Sequence, residues 1–141
     1  MTTTRTDGQQ SAIETYYKGL AEGKLKARRC KDCGKYTFPP TGCCSHCGSW
    51  SVEWVELSGR GTLHFATHNI TPACHPRFEP IAPYVYGHLT LDEGITVQAI
   101  IQGVKATPEE LGKLFARGPA PVVADVLRMN DLPVLAFRLA A

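Results

Sequence analysis

Two half-sites of identical form, Cys30-x-x-Cys33-Gly34 and Cys44-x-x-Cys47-Gly48, constrain this chain more than any other feature. A two-residue spacer lets both thiolates of a knuckle reach one ion, and zinc favours four sulfurs in a closed tetrahedral site. The glycine after each pair admits the positive φ of a tight turn. The pattern predicts a zinc ribbon with Cys30, Cys33, Cys44 and Cys47 as ligands. Four thiolates leave no coordination position open, so such a centre holds the chain together and does not activate water. Iron in a rubredoxin-like site satisfies the same ligands, and with it electron transfer, so both metals stay open at this level. Cys43 sits beside Cys44 but does not reproduce the spacing of the first knuckle. With Cys74, it reads as a small buried residue and not as a ligand or nucleophile.

A chain of 141 residues with 43% hydrophobic content supports one ordinary domain, or a small domain with an appendage. The first twelve residues are polar, without the apolar centre of a signal peptide, and no apolar run approaches the roughly 18 residues of a membrane span. A cytoplasmic protein is therefore expected, in which six cysteines serve metal and free thiols more readily than disulfides. A net charge of +2 is too mild to announce nucleic-acid binding. The charge is uneven, however: Lys18, Lys24, Lys26, Arg28, Arg29, Lys31 and Lys35 face only Glu22 and Asp32 in the same stretch. That surface is either a solvated face offsetting a four-thiolate centre or a landing place for phosphates or an acidic partner.

Along the chain, the Thr-rich residues 1–8 are expected to be a disordered tail. Ile13, Tyr16, Tyr17 and Leu20 fall at i, i+3, i+4 and i+7, which predicts an amphipathic helix over about 10–22 that stops near Gly23. Its stripe packs either on the chain's own body or on another subunit. Residues 9–28 thus form a helix and linker, 29–50 the ribbon, and 51–141 a β-rich region. Strands are predicted over 52–57, 61–68, 84–91, 95–102, 122–129 and 134–139 from β-branched and aromatic runs between turn signals. Asp92-Glu93-Gly94 reads as a three-residue hairpin loop. Thr107-Pro108-Glu109-Glu110 reads as an N-cap, a proline at the first helical position and a capping-box glutamate, opening a short helix to about Phe115. The fold class is mainly β: an N-terminal helix and rubredoxin-like ribbon, then a five- to six-stranded OB-fold barrel with one short helix. Residues 70–83 hold four prolines and no periodicity, which makes them a stiff connection, either a wall over a neighbouring site or a passive excursion.

No motif for catalysis is present: no phosphate-binding glycine loop, no G-x-S-x-G elbow, no H-E-x-x-H pair. His64 and His68, at even positions of one predicted strand, are expected on a common face. Cys74 beside His75 has neither a positioned base nor an oxyanion donor in view. The sequence reads as that of a binding protein.

The order of parts resembles a known family. Tyr17-Lys18-Gly19-Leu20-Ala21-Glu22-Gly23-Lys24-Leu25, then Arg29-Cys30-Lys31-Asp32-Cys33-Gly34, Phe38-Pro39-Pro40 and Cys44-Ser45-His46-Cys47-Gly48, is similar to the acyl-CoA-associated zinc-ribbon plus OB-fold family, formerly a domain of unknown function. Ser58-Gly59-Arg60-Gly61-Thr62-Leu63, Pro83-Tyr84 and Leu91-Asp92-Glu93-Gly94 continue the likeness, which runs from about residue 12 to the end. Thr41 departs from it, since a basic residue often follows the paired prolines. The resemblance implies a non-catalytic subunit of a thiolase-type complex, with structural zinc, a thiolase-superfamily catalytic partner and a CoA thioester shared with that partner. It directs Arg28, Arg29 and Lys31 toward CoA phosphates or an acidic partner face, Tyr17 and Leu20 toward the partner, and Cys74, His75, Arg77 and Phe78 toward an acyl channel. Two other classes compete: a single-stranded nucleic-acid module, which needs cations beside exposed aromatics, and the iron electron carrier.

Overall fold

A computed structural model describes residues 11–68, 76–129 and 132–140, apart from the Arg77 side chain. The chain divides into two compact units at Glu56/Leu57.

In the first unit, helix α1 (Ala12–Ala21) starts where the Ser11 hydroxyl accepts from the Glu14 amide at 3.2 Å. It ends at Gly23, whose φ of +81° lets its own N–H reach the Leu20 carbonyl and the Lys24 N–H reach Gly19. This is the paired closure that favours glycine just beyond a helix. Strands β1 (Lys26–Cys30), β2 (Tyr36–Thr37) and β3 (Val52–Glu56) form an antiparallel sheet in the order β2-β1-β3. The strand expected over 52–57 thus exists, but its hydrogen bonds go to β1, from Lys26 opposite Glu56 to Cys30 opposite Val52. It closes the ribbon sheet and is not one of the barrel strands.

The helix stripe turns inward on its own unit. Leu20 is 1% exposed, Tyr16 meets Phe38 edge-to-face at 5.8 Å, and Gly19 lies close against the Lys26 stem. Burial, reinforced by Tyr17, pushes the Tyr16 phenol up to about 12. Leu20 thus anchors the helix to its own ribbon. Ile13, at the start of the stripe, stays 60% exposed.

The second unit is a closed five-stranded barrel of β4 (Arg60–His68), β5 (Val85–Leu91), β6 (Thr96–Gln102), β7 (Ala120–Met129) and β8 (Leu132–Leu139), in the order β4-β5-β6-β8-β7. All pairings are antiparallel except β6 with β8. Alternation along β5 sends Val85, Leu89 and Leu91 inward to join Leu63, Ile101, Val122 and Phe137 in the core. The β5–β6 hairpin turns at Gly94, with φ +87°, as its three-residue loop requires. Helix α2 (Pro108–Arg117) carries the expected cap, with Thr107 Oγ1 accepting from the Glu110 amide, and runs two residues past Phe115.

Two features were not legible as chain pattern. A bulge in β4 between Leu63 and Phe65 reverses the facing of the strand beyond it. His68 then sits opposite the inward Val85, while His64 is exposed with Nε2 3.0 Å from Thr90 Oγ1. The common face expected for the two histidines does not exist. Gly87 faces this bulge because a Cβ there would collide with the Phe65 carbonyl oxygen. In the connection before β5, Pro76–Ile81 forms a short 3-10 helix where a stiff connection without periodicity was expected.

Candidate functional site

The four predicted cysteines converge. Their sulfurs lie within 4.8 Å of one another, with Cys30 Sγ to Cys47 Sγ and Cys33 Sγ to Cys44 Sγ both at 3.6 Å. A tetrahedral ion with Zn–S bonds near 2.3 Å needs sulfurs about 3.8 Å apart, whereas a disulfide needs about 2.05 Å. The residues present therefore fit a four-thiolate metal. Among the described residues no other group of three or more Cys, His, Asp or Glu side chains gathers in this way.

The knuckles are prepared for negative charge. The amide of Cys33 points at Cys30 Sγ, and those of Cys47 and His46 point at Cys44 Sγ. The Cys47 amide is the main influence that brings the Cys44 thiol down to about 6, and that of Cys33 lowers Cys30. Cys47 receives a lowering bond from the Ser49 amide, but its contact with Cys30 and burial outweigh this and push it up to about 12. Cys33 also ends above its usual value: the lowering bond from the Lys35 amide is outweighed by burial and by the sulfurs of Cys44 and Cys30.

Hydrogen bonds independent of metal also clasp the knuckles. Thr37 Oγ1 accepts from the Ser45 amide at 3.0 Å, His46 Nε2 lies 2.9 Å from the Tyr36 carbonyl, and the Ser49 hydroxyl donates to Asp32. Thr37, the buried polar residue of the unit, was not singled out from sequence; its place opposite Arg28 in β2 explains it. Cys43 is half-buried and not among the converging sulfurs.

The basic residues do not form one site. Arg28 and Arg29 are adjacent in β1, so their side chains leave on opposite faces of the sheet. Arg28 lies over Trp54 at 4.6 Å, its Nε buried with no acceptor among the described residues and its guanidinium lowered by burial. Arg29 lies over Tyr36 at 5.9 Å and is exposed, as is Lys31. Tyr17 is half-buried against Tyr16. Cys74, His75 and the Arg77 side chain lie outside the described residues, and Phe78 packs against Tyr84 at 5.8 Å.

The barrel adds two openings. One, of about 240 Å³, lies between α2 and β4 and is lined by Leu63, Phe65, Leu111, Leu114 and Phe115, with His64. Phe65 and Phe115 are 50% and 71% exposed. The other, of about 450 Å³, is an open trough lined by Phe78, Tyr84, Tyr86, Gln98, Ala99 and Ile100.

A four-cysteine ribbon followed by a closed five-stranded barrel defines the class: a zinc-ribbon–OB-fold protein. The ChsH2 rubredoxin-like zinc ribbon domain matches residues 18–53, with all four cysteines inside the match, and the ChsH2 C-terminal OB-fold domain matches residues 54–118. The chain belongs to this ChsH2 (DUF35) family. It is 31% identical over 126 residues to a probable enoyl-CoA hydratase alpha subunit of Thermomonospora curvata, covering 89% of this chain and 36% of that protein. It is 33% identical over 79 residues to the benzoylsuccinyl-CoA thiolase subunit BbsA of Thauera aromatica, covering 56% of this chain and 52% of that one. The chain thus spans about a third to a half of the length of these curated relatives. Among solved structures, a chain of the Ltp2-ChsH2(DUF35) aldolase superimposes with a TM-score of 0.73 at 28% identity, over 97% of this chain and all of that one. Among the described residues, no helix is long and apolar enough to cross a membrane.

Proposed function

We propose that this protein is the non-catalytic subunit of a heteromeric enzyme that makes or breaks carbon–carbon bonds in acyl-CoA thioesters. In this reading it stabilises a larger thiolase- or aldolase-type subunit and helps enclose the thioester. The observation that carries the reading is the likeness across nearly the whole chain to ChsH2(DUF35) in an aldolase that pairs it with Ltp2, together with the BbsA likeness. The physical logic is consistent: a long, charged, flexible thioester costs less to order when a second chain supplies part of its enclosure. A closed thiolate centre suits a structural role for zinc.

The charge pattern favours this reading over nucleic-acid binding. Residues 11–56 hold seven Lys and Arg against five Asp and Glu, and a four-thiolate Zn²⁺ centre carries formal charge −2, so the loaded unit is neutral. The outward ladder of β5 and β6 pairs Tyr86 with Ile100, His88 with Gln98 and Thr90 with Thr96, without a lysine or arginine. Contact with CoA phosphates or an acidic partner face falls to Arg29 on one side of the sheet and to Lys31 in the turn after it, separately from Arg28 on the other side. Phe78, with Cys74, His75 and Arg77, borders the acyl group.

The test is purification of the tagged chain with its native companion and assay of both. Thioester carbon–carbon chemistry is expected in the complex and absent from the chain alone, and Arg29→Glu is expected to raise the apparent KM for the CoA substrate or weaken assembly. Turnover of a thioester by the isolated chain would falsify the proposal. A hydratase companion is the second reading, favoured by the Thermomonospora curvata likeness; it predicts hydration of an enoyl thioester by the same complex and no carbon–carbon cleavage.

A further inference from the structure

We propose that the open trough on the outer wall of the barrel, lined by Phe78, Tyr84, Tyr86, Gln98, Ala99 and Ile100, is a binding site for a flat, uncharged ring carried on the acyl side of a thioester. The thioester part of this statement rests on the function proposed above; the preference for a ring rests on the trough.

Register builds the wall. In β5, Val85, Gly87 and Leu89 point into the barrel, so Tyr86 points out, and its ladder partner Ile100 points out beside it. The 3-10 helix Pro76–Ile81 then delivers Phe78 to the same place, 5.8 Å from Tyr84 and tilted by 49°, while Tyr84 stands 6.2 Å from Tyr86 at 55°. Three rings in series, each tilted to the next, make a concave surface longer than one ring and do not close on themselves as a core. All three are half-buried. An opening of about 450 Å³, mostly aromatic and aliphatic with one amide, falls within the range of small-molecule sites.

The chemistry of the lining selects the occupant. Among the described residues of the lining none carries a formal charge, so a phosphate or carboxylate entering the trough would lose hydration without an ion pair from them. The nucleotide end of a CoA ester is therefore a poor occupant. A planar ring gains offset or edge-to-face contact with the tyrosines in addition to burial. A linear alkyl chain gains burial alone and loses rotamer freedom. Gln98 supplies an amide, beside the hydroxyls of Tyr84 and Tyr86, able to donate to a carbonyl next to the ring.

The test uses the full zinc-loaded chain and two thioester probes, S-benzoyl-N-acetylcysteamine and S-octanoyl-N-acetylcysteamine, followed by NMR. Saturable shifts confined to Tyr84, Tyr86 and Ile100 are expected, at roughly fivefold lower concentration for the benzoyl probe. Ile100→Lys should weaken that binding by about tenfold or more while leaving the core Leu89 and Ile101 signals in place, because position 100 faces outward. Phe115→Ala, in the other opening, should change nothing. Shifts that map elsewhere, equal affinity for the two probes, or an indifferent Ile100→Lys variant would each overturn the proposal. If neither probe binds and Ile100→Lys blocks assembly with the catalytic companion, the trough is a protein interface and the ligand assignment is wrong. A companion without thioester chemistry would instead sink the accessory-subunit reading and leave the probe result standing.

Discussion

Replacing Leu20 by alanine decides whether α1 belongs to its own ribbon or waits for another subunit. Leu20 is 1% exposed, so the substitution withdraws three buried carbons, each worth about 0.8 kcal/mol of transfer free energy. That is about 2.4 kcal/mol before any cavity term. Each unfilled cubic ångström adds about 24 cal/mol, so incomplete collapse brings the loss to about 4 kcal/mol. The chain provides its own local reporter, because both tryptophans, Trp50 and Trp54, lie in the first unit. Tryptophan emission in a urea titration therefore follows that unit alone, which avoids treating a two-unit chain as one transition. With a slope near 1 kcal/mol/M for so small a unit, the midpoint should fall by about 2.5–4 M, or the unit should already be unfolded without urea. Ile13→Ala, at the exposed end of the same helix, should cost about 0.5 kcal/mol or less. A Leu20→Ala loss below about 1 kcal/mol in the isolated chain would refute the packing argument and return the stripe to a partner.

Three further outcomes are expected from the same geometry. Metal affinity should rise with pH between 5 and 8, because Cys47, pushed up to about 12, must lose a proton to bind. A flat profile in competition with a chelator would contradict this. Stripping the metal with a chelator, or Cys30→Ser, should change tryptophan emission while the barrel methyl signals of Leu89 and Ile101 persist, since the four ligands all lie in the first unit. Gly87→Ala should lower stability by about 2 kcal/mol, read as a drop in melting temperature, because the new methyl meets the Phe65 carbonyl at the bulge; an unchanged melting temperature would argue against that bulge.

The contrast between what was legible and what was not reflects the range of the forces involved. The cysteine spacing, the cap at Thr107 and the turn at Gly94 are decided within a few residues, and each stands where its local chemistry places it. Lys26–Cys30 was missed as a strand because Lys-Ala-Arg-Arg-Cys has no β-branched or aromatic residue; its pairing with β2 and β3 makes it one. The same pairing separates Arg28 from Arg29, which a count of charges had joined. For Val52–Glu56 the secondary structure was legible but the sheet was not, since a strand's composition does not name its neighbour.

Sequence alone determined which four cysteines gather, the family and most of the helices and strands, because spacing and periodicity act through neighbours along the chain. Only the tertiary structure decided which faces are offered: Leu20 turned inward, His64 and His68 parted by one extra residue, and Phe78, Tyr84, Tyr86 and Ile100 gathered on the barrel's outer wall. Facing depends on hydrogen-bond register between distant strands, and a slip of one residue exchanges inside for outside.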